Sequence, residues 1–405
     1  MTEQSTLLAQ AQLHLYPNYQ RSPFVLCRGQ GSQIWDMDGK RYLDLCAGIA
    51  VNTLGHAHPR LVNAISEQAA QLMHVSNYFY NEPNVKLAIR LCELSGYSRA
   101  FFCNSGTEAV EMSLKLARRH FTSKTSSERY RVIAFENSFH GRTLGSLAVT
   151  GQAKYRDGFG PLLGVTHVPY GDSQAVRANM APDVAAILVE PIQGEGGIIA
   201  APEGFLHDLR QIANDYGALL IADEVQTGLG RTGHFLACGH SNVEPDIVAL
   251  AKGLGGGFPI GAVLCNESLA GDLPPGSHGT TFGGNPLASR AALTVLDVIV
   301  EEDLITAARV KGGHLGRLLD ELRLKFSKQI AAIRGRGLLW AAELDPSVDV
   351  SNLLEHCKNA GLLLTRAGSH ALRFSPSLTV SQSELEEGVQ LLAEVLKAEA
   401  SCVIC

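Results

Sequence analysis

Two apolar runs in this chain each end in a residue that can do chemistry. Leu219-Leu220-Ile221-Ala222 leads into Asp223-Glu224, and Ile247–Ala251 leads into Lys252. Functional side chains of an α/β sheet gather at the carboxyl ends of its strands. A lone strand-end Asp is ordinarily a turn cap, but Lys252 is followed by Gly253, Gly255, Gly256 and Gly257, room that a surface lysine does not need. A lysine with a depressed pKa forms Schiff bases with carbonyl compounds. A carboxylate on a neighbouring strand end suits the protonated ring nitrogen of pyridoxal phosphate. The phosphate would need a cradle, and Ser105-Gly106-Thr107 supplies one where the run Ala100–Cys103 turns into a helix. By itself that tripeptide reads equally well as a cap. With Asp223 and Lys252 it becomes one of three parts of a single cofactor site.

Other motifs compete. Gly228-Leu229-Gly230-Arg231-Thr232-Gly233 fits G-x-G-x-x-G after a strand, a dinucleotide fingerprint by letter. The next segment, His234 to Asn242, lacks the apolar period of the required helix, so the motif reads as a turn. His56-Ala57-His58 is half a metal site without a third ligand at sensible spacing, so no metal is expected. His140 reads as a structural hydrogen-bonder, given that Lys252 is available as a base.

The elements around these residues alternate. Strand-sized apolar runs at Ala100–Cys103, Val132–Phe135, Ala185–Val189, Leu219–Ala222, Ile247–Ala251 and Ala262–Cys265 are interleaved with helical periods, the pattern of a mostly parallel sheet covered on both faces. Pro59 opens a helix with Leu61, Ile65, Leu72 and Met73 on one face, and Pro83 opens another with Val85, Ala88, Leu91 and Cys92 inward. From about Asp303 the pattern changes to a long charged helix, short strands at Leu338–Leu344, Leu362–Thr365 and Leu372–Phe374, and a last helix from Glu384. The expected organisation is a large cofactor-binding domain at 55–304 and a smaller α+β domain made of the N-terminal segment 1–54 and residues 305–405. Composition agrees: 405 residues, 45% hydrophobic and 18% charged, suit a packed multi-domain chain. A net charge of −6 without a dense basic run argues against nucleic acid, and no apolar stretch approaches the roughly 20 residues of a bilayer span. Met1 to Gln12 shows no secretory signal pattern, and the 9 scattered cysteines fit a reducing, cytoplasmic setting. The lone C-x-x-C, Cys402 to Cys405, reads as a tail.

Together these residues carry a resemblance. The blocks Asp223-Glu224-Val225-Gln226, Gly230-Arg231-Thr232-Gly233 and Ala251–Gly257 resemble the core pattern of the class III (subgroup II) aminotransferases. The likeness continues through Gly48–Pro59, Asn104–Glu108, Phe139–Arg142, Glu190–Gly197, Gly279–Pro286 and Arg373–Pro376, nearly the whole chain. Within that class it is most similar to the bacterial acetylornithine aminotransferases, notably in Arg28–Ser32, Asn77–Glu82 and His278–Pro286. The resemblance implies the type I pyridoxal phosphate fold and a homodimer with active sites at the subunit interface. It implies that Lys252 carries the cofactor and shuttles protons. Asp223 would hold the ring nitrogen, Gln226 would approach the ring hydroxyl, and Phe139 and Val225 would flank the ring. Gly106 and Thr107, joined by Thr281 from the partner subunit, would bind the phosphate, and Glu224 falls in the same cofactor-binding block. Arg142 would grip a substrate carboxylate and Arg373 the α-carboxylate of glutamate or 2-oxoglutarate, with Glu195 as its movable partner. Thr280 departs from the serine of many relatives at a substrate-contacting position; it keeps the hydroxyl and adds a methyl.

The implied reaction moves the δ-amino group of N2-acetylornithine to 2-oxoglutarate, giving glutamate, in arginine biosynthesis. The alternatives are succinylornithine, ornithine or another ω-amine as donor, a pyridoxal phosphate-dependent aminomutase, and, outside catalysis, a dinucleotide-binding regulator.

Overall fold

The computed structural model describes residues 2–124 and 128–402; Cys405 of the C-terminal C-x-x-C lies outside them. Seven strands form the principal sheet: β1 (Arg99–Cys103), β2 (Arg131–Phe135), β3 (Val165–Val168), β4 (Val184–Val189), β5 (Leu219–Asp223), β6 (Ile247–Leu250) and β7 (Gly261–Cys265). Their order is β1-β7-β6-β5-β4-β2-β3. The run β6-β5-β4-β2-β3 is parallel, while β7 is antiparallel to both of its neighbours.

Every residue of β4, β5, β6 and β7 is buried, as continuous apolar strands require. Their alternation sorts them into two cores. Leu219 and Ile221 pack with Val110 and Leu114 of the helix Gly106–Lys124, whereas Leu220 and Ala222 pack with Phe205 and Leu209 of the helix Phe205–Tyr216.

Both ends of the chain build further sheets. Leu26–Gln30, Gln33–Asp36 and Arg41–Asp44 form an antiparallel meander, and Leu362–Leu363 joins it parallel to Arg41–Asp44. A second antiparallel sheet takes Ile330–Arg336, Leu339–Leu344, Ala371–Phe374 and Thr365–Ala367, in that order. No helix among the described residues is long and apolar enough to cross a membrane.

Two helix faces differ from expectation. The helix Pro59–Gln71 ends before Leu72 and Met73, which are exposed, so its inward face is Leu61 and Ala64. In Glu82–Ser95 the buried residues are Leu87 and Leu91, while Val85 is exposed.

Candidate active site

The carboxyl ends of β4, β5 and β6 and the start of the helix Gly106–Lys124 enclose a cleft of about 450 Å³. Gly106, Thr107, Phe139, Arg142, Glu195, Asp223, Val225, Gln226 and Lys252 all line it.

Lys252 follows β6 in the left-handed region, with φ 38°, a conformation that costs a non-glycine residue about 1–3 kcal/mol. It opens a single 3-10 turn, Lys252–Gly255, that is held from outside by Thr53, whose Oγ1 donates to Gly253 O at 2.9 Å. Thr53 comes after a turn in which Ala47, Gly48, Ile49 and Ala50 all have positive φ. Such a run is rare for L-residues, and Asp44 braces its start by accepting from Cys46 N (3.0 Å) and Ala47 N (2.8 Å). Burial lowers Lys252 below the ordinary lysine range; Glu195, Asp223 and Glu190 pull the other way, and Arg373 adds to the lowering.

Asp223 ends β5 with its side chain 5% exposed. Its Oδ1 accepts from Val225 N at 3.0 Å, and its Oδ2 lies 2.7 Å from His140 Nδ1. His140 is thus a structural hydrogen-bonder, as its sequence context indicated, and its partner is Asp223, the carboxylate expected to meet the ring nitrogen. Burial acts to lower His140, yet the bond to Asp223 and the charges of Asp223 and Glu190 leave it raised. Glu190, the residue after β4, is buried and accepts from Phe139 N (3.1 Å) and Gly194 N (3.2 Å). Burial, with Asp223 adding to it, pushes Glu190 up to about 7. Neither Glu190 nor its proximity to His140 was singled out from sequence, although a carboxylate closing an apolar strand is the same signal that marked Asp223.

Glu224 is a correction. It does not line the cleft; it is wholly buried on the opposite face, accepting from Ala237 N (2.9 Å), Cys238 N (2.8 Å) and Thr227 Oγ1 (2.6 Å). The reason is the period of a strand, which sends consecutive side chains to opposite sides. Glu224 therefore fastens Thr227 and the Ala237–Cys238 turn, which lie on either side of the glycine-rich segment 228–233. That segment begins no helix and leads only to a 3-10 turn, Ala237–Ser241, so the dinucleotide reading fails. Arg231 within it is buried, donates to Leu338 O (3.0 Å) and Pro376 O, and is pushed down to about 9 by burial.

Gly106 and Thr107 begin a 19-residue helix, where unpartnered N–H groups favour an anion. A methyl on Gly106 would come within 2.8 Å of Val225 Cγ1. The Thr107 hydroxyl lies 2.9 Å from Thr143 Oγ1 and 2.5 Å from Ser146 Oγ. Gln226 donates to Glu195 Oε1 at 3.3 Å, while its own Oε1 is buried with no partner.

Arg373 lies on the strand Ala371–Phe374, 1% exposed. Its Nη1 pairs with Glu195 Oε1 and its Nε donates to Thr365 Oγ1 at 3.1 Å. Burial acts to raise Glu195, but Arg373 and then Lys252 hold it below the usual carboxylate range. Arg142 is different: it is exposed, and among the described residues it makes no hydrogen bond or ion pair. Its Cζ sits 3.9 Å from the ring centroid of Tyr155 and 5.5 Å from that of Phe139.

Thr280 and Thr281 do not reach this chain's own cleft. Thr280 Oγ1 accepts from Asn104 Nδ2 (3.1 Å) and Gly283 N (3.3 Å), and Thr281 is exposed. Their loop runs along Phe102 and Cys103, where Gly283 lies against the strand's backbone.

Residues 15–396 match the family model described as Aminotransferase class-III. An acetylornithine aminotransferase of Myxococcus xanthus is 49% identical over 382 residues, 94% of this chain and 95% of the relative. A succinylornithine transaminase of Photorhabdus laumondii is 42% identical over 386 residues, 95% of this chain and 96% of the relative. Among solved structures, an ornithine aminotransferase of Toxoplasma gondii with PLP at partial occupancy in its active site superposes with a TM-score of 0.92 at 34% identity. That match covers 98% of this chain and 95% of the other.

Proposed function

This chain belongs to the class-III aminotransferases, which use pyridoxal phosphate, and from that premise we propose that it moves the δ-amino group of N2-acetylornithine to 2-oxoglutarate. The donor assignment rests on relatives at 43–49% identity that bear the name acetylornithine aminotransferase. The single observation that carries the two-substrate reaction is the pair of arginines. Arg373 does not line the cleft but is buried behind Glu195, which does and which neutralises it, while Arg142 lines the cleft and stands free. One cleft can then take a donor that needs one carboxylate contact and an acceptor that needs two.

The residues fit the cofactor. Gln226 Oε1 is a buried acceptor without a donor, suited to a ring hydroxyl, and the space beside Gly106 closes if a side chain is added. Gly106 and Thr107 would hold the phosphate, Asp223 the ring nitrogen, Phe139 and Val225 the ring faces, and Lys252 the carbonyl carbon. When bound, pyridoxal phosphate supplies an electron sink and a temporary carrier for the amino group. Asp223, oriented by His140 Nδ1 and Val225 N, would present a carboxylate oxygen to the protonated ring nitrogen. Lys252 Nζ, lowered by burial, takes the proton from the donor's δ-carbon and returns one to the acceptor's α-carbon. Arg142 orients the donor through its carboxylate by paired N–H donors. For the acceptor, Glu195 turns away and Arg373 binds the α-carboxylate.

The reading includes a homodimer, in which the partner subunit's Thr281 completes the phosphate site and Thr280 lies close to substrate. What supports this is that both residues lie outside this chain's own cleft. It also includes a place in arginine biosynthesis and a cytoplasmic setting, with Cys27, Cys46, Cys92, Cys103, Cys238, Cys265 and Cys357 free. The test is kcat/KM for acetylornithine, succinylornithine, ornithine and 4-aminobutyrate, each with and without 2-oxoglutarate. Acetylornithine should lead and the acceptor should be obligatory. A clear preference for ornithine or 4-aminobutyrate defeats the donor assignment, and turnover without acceptor would indicate an aminomutase.

A further inference from the structure

Arg142 is held at the cleft without a charged or hydrogen-bonding partner among the described residues, which is unusual for a guanidinium expected to meet one ligand in one orientation. Two aromatic rings stand in for such a partner. The Phe139 and Tyr155 rings meet edge to face, with centroids 5.9 Å apart and planes at 85°. The guanidinium carbon lies over the Tyr155 ring at 3.9 Å, the closer of the two contacts. Phe139 lines the cleft itself, whereas Tyr155 does not; it reaches Arg142 from the short helix Ala153–Arg156 behind it.

Stacking differs from ion pairing in what it leaves free. A guanidinium lying face-on over an aromatic ring is attracted by the ring's negative face. Its N–H donors all lie in its own plane, so stacking consumes none of them. A carboxylate partner would have blocked the fork and would itself need displacing, as Glu195 must be displaced from Arg373. A bare, unstacked Arg142 would instead spread over many rotamers and lose part of its binding energy on being ordered. The ring therefore pre-orders the arginine without competing for it.

We propose that Tyr155 is a specificity-determining residue: its ring lies against the Arg142 guanidinium carbon and holds it without an anionic partner, leaving its N–H donors to the donor's carboxylate. This rests on the functional reading above, in which Arg142 grips that carboxylate. The ring is the active part, so Phe should serve in its place and Leu should not.

The experiment compares Tyr155→Leu and Tyr155→Phe in the holoenzyme with two donors, N2-acetylornithine and N-acetylputrescine, the same molecule without its carboxylate. The ratio of kcat/KM between them should fall roughly 3- to 30-fold in Tyr155→Leu, about 0.6–2 kcal/mol at 1.4 kcal/mol per decade, within the range of a cation–π contact. Tyr155→Phe should restore most of the ratio. Calorimetric titration with N2-acetylnorvaline, which keeps the carboxylate but lacks the reacting amine, should show the same weakening independently of turnover. Equal losses for both donors in Tyr155→Leu would mean that the ring merely supports the fold and would overturn the proposal. An unchanged ratio, or a Phe variant as impaired as the Leu variant, would overturn it too. If the wild type neither binds N2-acetylnorvaline nor prefers the carboxylate-bearing donor, the functional reading fails first, and the proposal with it.

Discussion

Replacing Glu195 by Gln isolates the contact on which the two-substrate reading depends. Glutamine has nearly the same shape and keeps an oxygen that can accept from Arg373 Nη1 and Gln226 Nε2, so the change removes charge and little else. The buried guanidinium would then face only neutral partners, the introduced amide and the Thr365 hydroxyl. Stripping a buried pair of one charge costs about 3–5 kcal/mol. With an acceptor retained, and with the Glu195 side chain still 24% exposed, the loss of stability should lie near 1–3 kcal/mol, read by urea denaturation. Function should move in opposite directions for the two substrates. The α-carboxylate of 2-oxoglutarate no longer has to displace an anion, so its dissociation constant should fall roughly 5- to 20-fold, about 1–2 kcal/mol. The donor half-reaction should slow, because an unmatched Arg373 further lowers Lys252 and stays uncompensated while the donor's carboxylate is held at Arg142. Single-turnover absorbance changes, recorded separately with acetylornithine and with glutamate, resolve the halves. Equal effects on both, or weaker 2-oxoglutarate binding, would refute a movable Glu195.

Two further outcomes rest on geometry and burial. Gly106→Ala places a methyl 2.8 Å from Val225 Cγ1 and 3.1 Å from Cγ2, so helix start or ring-flanking valine must shift. Cofactor affinity of the apoenzyme, measured by fluorescence titration, should weaken about 10- to 100-fold, roughly 1.4–3 kcal/mol, and unaltered affinity would contradict the cradle. Glu190, raised from the usual 4.5 to about 7, keeps in the folded state a proton that the unfolded chain releases. Its contribution is therefore fully present below about pH 4.5 and is lost as pH rises to about 7, with a slope of up to roughly 1.4 kcal/mol per pH unit. Glu190→Gln should flatten the stability profile across that window, and an identical slope in both proteins would show that Glu190 is not the titrating group.

The parts of the molecule legible in the sequence are those where one physical demand dominates. Strands buried on both faces must be apolar throughout, so β4, β5 and β6 and the residues at their ends stood out, and with them Asp223 and Lys252. Gly106 was visible because a strand-to-helix junction marks itself. The meander Leu26–Asp44 was not recognised because its first strand is largely exposed and shows no apolar run. Val165–Val168 sits at the sheet's edge, half buried, and escaped for the same reason. Leu72 and Met73 continued a helical period by letter after the helix had ended. Glu224 was misplaced although strand alternation carried the answer. The bond from His140 to Asp223 spans 83 residues and has no local signature, and the stacking of Tyr155 on Arg142 is equally a product of tertiary placement.

The reversed direction of β7 has a consequence for how the site divides its labour. A parallel successor to β6 would have required a crossover of a dozen or more residues returning to the far end of the sheet. Because β7 runs the other way, the segment from Lys252 to Ile260 never leaves the end of the sheet that holds the cleft, and it is tethered on both sides to hydrogen-bonded neighbours. The amine is in effect mounted on the stator. Glu195, by contrast, stands on a turn, residues 194–197, and meets Arg373 on the strand Ala371–Phe374, so the acid that the proposed reaction needs to move is carried by a turn while the amine that must stay put is carried between paired strands.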